Sequence, residues 1–310
     1  MRSITQSSFG DTSVLEFAEV DRPRPGPGQV LIKVGAAGVN PVDVAVRAGF
    51  YPLLGEPPFT LGWDVAGVVE DAGSGVSAFE PGDEVLGLLA FPAAGNAYAE
   101  YVLASANEIV RRPAALTVEQ AAGLPLAGLT AWQALVGIAR LGEGQRVLIH
   151  RAAGGVGHLA VQIAKARGAH VVGTASRAKH ALLRELGADT LIDYTTEDFV
   201  TEAGPVDVAF DLVGGEYGAL SAAVVKPGGL LVGALGANLG ITPEQAAERG
   251  IGLEAVSVRP SAADLARLTA LAEAGRLTVH VEHVLPFAEV AKAHELISSG
   301  RTTGKVVLTP

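Results

Sequence analysis

The sequence predicts an α/β fold, doubly wound around a six-stranded parallel sheet, with a second, mainly antiparallel β domain. Three observations carry this. The first is texture: residues 1–117 are rich in Gly and Pro and hold short β-like runs, whereas helices and strands alternate from about residue 118. The second is Arg146-Val147-Leu148-Ile149-His150, a nearly all-apolar run of the kind a central parallel strand needs when both of its faces are covered. The third is composition: at 49% hydrophobic and 18% charged, a chain of 310 residues is globular and long enough for two domains.

The elements follow in order. In the first part, Val30–Val34, Val65–Val69 and Glu84–Leu88 are short strands, punctuated by Pro25-Gly26-Pro27-Gly28 and Pro81-Gly82-Asp83. This turn density points to an antiparallel, barrel-like unit. After strand 146–150, a helix over 156–167 places Leu159, Gln162, Ile163 and Ala166 on one face and stops at Gly168. Strand 170–174, helix 178–186 ending at Gly187, and strands 190–193, 206–212, 229–234 and 251–258 complete six strands. In the tail, Ser261 and Asp264 resemble a capping box, and Leu265, Leu268, Leu271 and Ala272 form a helical stripe that Gly275 ends. A second helix near 287–298 precedes a last strand, Lys305–Leu308.

Charge and cysteine usage exclude several classes. Lys and Arg number 23 against 33 Asp and Glu, a net charge of −10, which argues against a nucleic-acid partner because phosphate contacts need clustered cations. No cysteine is present, so disulfides, thiolate nucleophiles and cysteine-ligated zinc are ruled out. No apolar segment follows the first residues, and none approaches the roughly 20 residues a bilayer requires. A cytoplasmic protein with no membrane partner is expected.

Among several glycine clusters only one has the context of a phosphate site. Ala152-Ala153-Gly154-Gly155-Val156-Gly157 follows the apolar strand and opens a helix. Gly154 lets backbone N–H groups approach a pyrophosphate, Gly157 lets the helix pack close to the strand, and the helix N-terminus favours an anion. The usual first glycine of such a turn is Ala152. A Gly-rich turn without a ligand is the alternative. The second strand ends Thr174-Ala175-Ser176-Arg177-Ala178-Lys179, without the carboxylate that binds a ribose 2′-hydroxyl. Ser176, Arg177 and Lys179 would pair with a 2′-phosphate, so NADPH is expected over NADH; the alternative is that both cations are solvated residues of the next helix. Tyr194, after the third strand, is placed either at the adenosine end or as a packing residue.

The chain resembles the medium-chain dehydrogenase/reductase superfamily, in its zinc-free NADPH:quinone oxidoreductase (ζ-crystallin-like) branch. The carrying segments are Pro27–Val34, Gly38–Asp43, Arg47–Pro52, Leu61–Gly67, Gly128–Trp132, Ala152–Gly157 and Gly300–Leu308. The resemblance spans essentially the whole chain. It implies a GroES-like, mainly antiparallel β-barrel catalytic domain from 1–117 and 259–310, a Rossmann NADPH-binding domain over 118–258, and a homodimer, with strand 251–258 at the interface. The places of the catalytic zinc ligands in zinc relatives correspond to Asn40, Trp63 and roughly Leu126, none of which can replace a thiolate or imidazole. No metal is expected.

By resemblance, Asn40 lies near the nicotinamide ribose or the substrate carbonyl, Asp43 supports its loop, and Tyr51 lines the substrate mouth. Thr130 faces the nicotinamide, Gly233, Leu235 and Gly236 hold the carboxamide region, and Lys305 approaches the cofactor. The glycine turn (Ala153, Gly154, Gly155, Val156, Gly157) and Thr174, Ser176, Arg177, Lys179 and Tyr194 complete the cofactor set. Bland readings stand beside these: Asn40-Pro41 is a turn former, and Asp43 caps a helix. Asp64 is a structural partner by resemblance. Without a Lewis acid, alcohol oxidation gives way to hydride addition onto electron-poor acceptors in an apolar cleft between the domains. Three functions are open: quinone reduction, reduction of the C=C bond of enoyl or alkenal substrates, and an NADPH-binding sensor or structural protein without turnover.

Overall fold

A computed structural model describes residues 1–234 and 238–310. It divides into two compact units, Met1–Leu129 with Arg259–Pro310, and Thr130–Val258. The first boundary falls twelve residues beyond the expected 117/118. The reason is local packing: Val118–Gly123 forms a capped helix whose Ala121, Ala122 and Gly123 are buried, and it packs on strands of the first unit.

The first unit begins with β1 (Arg2–Gln6), β2 (Glu16–Glu19), β3 (Gln29–Val39), α1 (Pro41–Arg47), β4 (Phe59–Thr60), β5 (Asp64–Ala72), β6 (Glu84–Leu88), β7 (Tyr101–Ser105), β8 (Ile109–Arg111) and α2 (Val118–Gly123). A small antiparallel sheet runs β2-β1-β4. The long strand β3 pairs antiparallel with both β5 and β7. Its Val30, Leu31, Ile32, Val34, Ala36, Ala37 and Val39 are buried, each large one adding about 1.5–3 kcal/mol of burial.

The chain crosses between the units inside α3 (Pro125–Trp132). The second unit then alternates β9 (Arg146–Ile149), α4 (Gly157–Ala166), β10 (His170–Thr174), α5 (His180–Glu185), β11 (Thr190–Ile192), α6 (Phe199–Glu202), β12 (Val206–Asp211), α7 (Glu216–Val224), β13 (Val225–Gly233), α8 (Pro243–Glu248) and β14 (Gly252–Ala255). The six strands are parallel in the order β11-β10-β9-β12-β13-β14, the doubly wound order of a Rossmann sheet. Val147, Leu148 and Ile149 of β9 are fully buried, as a central strand covered on both faces requires. Strand β13 starts four residues earlier than the sequence suggests, and β14 is shorter than the expected 251–258.

Residues 259–310 return to the first unit. Helix α9 (Ala262–Glu273) starts at Ser261, whose side chain accepts from the Asp264 N–H. Then follow β15 (Val281–Pro286), α10 (Val290–Ser298) and β16 (Lys305–Thr309). The larger sheet is ordered β15-β16-β3-β5-β6-β8, with β7 on β3, and it is antiparallel except for the β15·β16 pair. Among the described residues no helix is long and apolar enough to cross a membrane.

Candidate functional site

In the first unit, β3 ends at Val39 and α1 begins at Pro41, so Asn40 sits at a strand-to-helix corner. Its N–H donates to Asp43 Oδ2 at 2.8 Å, and the other Asp43 oxygen accepts from the Gly62 N–H at 3.1 Å. Asp43 thereby ties the start of α1 to the segment entering β5. Asn40 Nδ2 donates to Asp64 Oδ2 at 2.9 Å, while Asp64 Oδ1 accepts from the Leu126 N–H at 2.7 Å. Lys305, the first residue of β16, donates from Nζ to Val39 O at 3.2 Å and to Asn40 Oδ1, and lies 3.7 Å from Asp64 Oδ2.

This cluster is buried. Asp43 and Asp64 are fully buried, and Asn40 and Lys305 are each 2% exposed. Burial pushes the Asp43 carboxyl up to about 7, against the pull of its backbone donors. Burial also raises Asp64 and lowers Lys305, while the opposite charges of the two resist both shifts. Among the described residues the hydroxyl of Tyr98 is buried without a hydrogen-bond partner, and burial, then the charges of Asp43 and Asp64, push it well above its ordinary value. Tyr51 stands apart from this buried cluster in exposure, at 51%, beside the more exposed Phe50.

The zinc positions of relatives can be tested on this geometry. Asn40 is engaged by Asp64 and Lys305, and Trp63 is fully buried with its indole N–H on Ala93 O at 2.6 Å. An ammonium already neighbours the Asp64 carboxylate. Amide, indole and aliphatic groups with a resident cation do not fit a zinc ion. Among the described residues no group of three or more His, Asp or Glu is placed to hold a metal.

In the second unit the glycine turn connects β9 to α4. A Cβ on Gly157 would lie 2.2 Å from Arg151 O and 2.8 Å from Ala152, so only glycine lets α4 start this close to the strand end. The departure from the usual motif at Ala152 is accommodated across the sheet: a Cβ on Gly173 would come within 3.0 Å of the Ala152 methyl. Ala152 N–H is fixed on Thr174 O at 3.0 Å, and Gly154 N–H on Arg151 O at 2.8 Å. Among the described residues the N–H groups of Gly155 and Val156 make no backbone hydrogen bond, which with the start of a ten-residue helix fits an anionic pyrophosphate. Ala153 is buried within the same turn.

The loops after β10 and β11 lie side by side, since Ala175 N–H donates to Ile192 O at 3.1 Å. Ser176 precedes a single 3₁₀ turn, Arg177–Lys179, rather than the helix expected from 178. The Arg177 side chain is 71% exposed, with Nε 4.0 Å from Asp193 Oδ2. Asp193 is itself fixed by the Thr195 hydroxyl and N–H, which hold it below the usual carboxylate range. Sequence reasoning missed Asp193, although Asp193-Tyr194-Thr195 carries the signal of an Asx turn. Tyr194 is 52% exposed.

Two expected cofactor residues have their side-chain polar groups engaged within the protein. Thr174 is 2% exposed, and its hydroxyl bonds to His150 Nδ1 at 3.1 Å, because the buried imidazole needs a partner on each nitrogen; Ser221 Oγ, at 2.8 Å, is the other. Lys305 is held inside the first unit by Asn40, Val39 and Asp64, because its buried charge takes the nearest acceptors. Thr130 is buried at the first position of the second unit. Gly233 ends β13 opposite Asp211, and its carbonyl accepts from Val256 N–H. Leu235 and Gly236 lie outside the described residues.

This pairing of a mainly antiparallel unit with a Rossmann sheet is the architecture of zinc-type alcohol dehydrogenases and their reductase kin. Residues 26–114 match the alcohol dehydrogenase GroES-like domain family, and residues 186–308 the zinc-binding dehydrogenase family. The solved quinone oxidoreductase of Coxiella burnetii is 37% identical, with a TM-score of 0.94 over 100% of this chain and 99% of that one. The 2-methylene-furan-3-one reductase of Solanum lycopersicum is 36% identical over 100% of this chain and 79% of its own. A mycobacterial structure complexed with NADPH is 31% identical, with a TM-score of 0.89 and full coverage of both chains. The chain belongs to the medium-chain dehydrogenase/reductase superfamily of NAD(P)H-dependent oxidoreductases.

Proposed function

We propose that the protein is an NADPH-dependent reductase that acts without a metal on electron-poor conjugated acceptors, quinones first. The observation that carries this reading is that Asn40, at one of the zinc-ligand positions, is held by Asp64 and Lys305, while Trp63, at another, is buried with its indole N–H on Ala93 O. A bound dihydronicotinamide supplies a hydride. The protein's share is orientation and charge. Gly155 and Val156 offer backbone donors to the pyrophosphate, and Ser176, Arg177 and Lys179 offer a hydroxyl and two cations to a 2′-phosphate. Asn40 and Tyr51 are the groups offered to the acceptor, and Asp43 keeps Asn40 in place. The NADPH complex of the mycobacterial relative supports the cofactor preference.

The test follows absorbance at 340 nm with 1,4-benzoquinone and 9,10-phenanthrenequinone, using NADPH and NADH in parallel. Turnover with NADPH above the uncatalysed rate is expected. No turnover with any quinone sinks the quinone assignment. A second reading, C=C reduction, draws support from the furanone reductase relative; reduction of trans-2-alkenals with quinones inactive would establish it. Strand β14 at the edge of the six-stranded sheet supports a homodimer, which sedimentation would test.

A further inference from the structure

The hydrogen bonds around Asn40 decide which way its carboxamide faces. An ammonium can only donate, and an ionised carboxylate can only accept. Lys305 Nζ therefore meets Oδ1, and Asp64 Oδ2, 2.9 Å away, meets Nδ2. A flipped amide would set its NH₂ against the ammonium and its oxygen against the carboxylate, losing two charge-assisted bonds in a buried cluster. The neighbours are fixed in turn: Asp64 by the Leu126 N–H, Lys305 by Val39 O, and the Asn40 backbone by Asp43. An amide nitrogen carries two hydrogens. Among the described residues only one from Nδ2 has an acceptor, although Asn40 is 98% buried (2% exposed). The ammonium on Oδ1 also polarises the group and strengthens the remaining N–H as a donor.

We propose that Lys305 and Asp64 are positioning residues that lock the Asn40 carboxamide, so that its second Nδ2 hydrogen serves the carbonyl oxygen of the acceptor. Hydride adds to the conjugated carbon, the π pair moves onto oxygen, and the resulting oxyanion accepts the Asn40 N–H. Water then supplies the proton that completes the reduction, and Asn40 keeps its own. This role rests on the reductase reading above.

The test is a mutant cycle on the full-length protein, using Asn40→Ala, the charge-neutral pair Lys305→Met/Asp64→Asn, and all three together. Loss of one oxyanion donor costs about 10²-fold in kcat, and an unlocked donor about tenfold. Asn40→Ala should therefore lose about 10²-fold, the pair about tenfold or more, and the triple variant no more than Asn40→Ala. NADPH binding and melting temperature should stay near those of the parent in the pair. Losses that multiply in the triple variant overturn the proposal, as does a pair that keeps kcat within about twofold of the parent. So does a pair whose lost activity tracks weakened NADPH binding or melting. A parent that reduces no acceptor overturns both the role and the reductase reading, whereas an active parent with a silent pair overturns the role alone.

Discussion

Replacing Arg177 and Lys179 together with Ala tests the cofactor assignment most directly. Arg177 is 71% exposed, so its attraction to a 2′-phosphate is screened, and its contact belongs near the lower end of charge-assisted bonds, about 1.5 kcal/mol. Two such cations sum to about 3 kcal/mol, or roughly 10²-fold in Kd. Asp193 lies 4.0 Å from the Arg177 Nε and repels the same phosphate, so Asp193→Asn should tighten NADPH instead. The assay is fluorescence titration of each reduced nucleotide at low and at physiological salt. NADPH should weaken by about 10²-fold at low salt and by less at high salt, with NADH changed by no more than about twofold. Equal losses for both nucleotides would refute the reasoning, because the 2′-phosphate is the only chemical difference between them.

Gly157→Ala forces a methyl into the Arg151 carbonyl at 2.2 Å; a cost of about 1–3 kcal/mol in stability and weaker NADPH binding are expected, and an unchanged melting temperature would count against the packing argument. His294, buried with both ring nitrogens unpartnered among the described residues, is held down to about 3 by burial, then by the charge of Arg47. The unfolded chain therefore binds its proton first, and stability falls as pH drops below the ordinary histidine value. Between pH 7 and 5 this amounts to about 2 kcal/mol, which His294→Phe should remove in urea unfolding. Asp43 has the opposite sign: with a folded value of about 7, it stabilises at low pH and loses that contribution as pH rises from about 4 to 7. Asp43→Asn should thus make the change in stability from pH 7 to 5 less favourable than the parent's by about 2 kcal/mol, because the Asp43 gain no longer offsets the His294 loss, and an unaltered pH dependence would contradict the buried, protonated state.

Local pattern was enough for the second unit. The apolar run 146–150, the glycine turn and regular helix stops specify a parallel sheet because each signal is short-range and periodic. Strand ends were less legible, since β13 begins at Val225 through pairing with β12 and not through any run of its own. In the candidate site the sequence marked Asn40, Asp43, Lys305 and Arg177, with Asp64 as a structural partner, but not which of them pair. Asn40 and Lys305 are 265 residues apart in the chain, and no spacing rule connects them. Asp193 escaped notice because its role depends on two loops from adjacent strands.

The sequence alone determined the fold class, the position of the glycine turn between β9 and α4, and the absence of thiolate metal ligands, because composition and nearest-neighbour pattern dictate these. Tertiary structure decided what each charged group does. It placed Lys305 on Asn40, turned the Thr174 hydroxyl to His150, and made room for Ala152 opposite Gly173. The physical reason is that a buried polar group takes whichever partner the fold brings within about 3 Å, and that partner is set by packing across the whole chain.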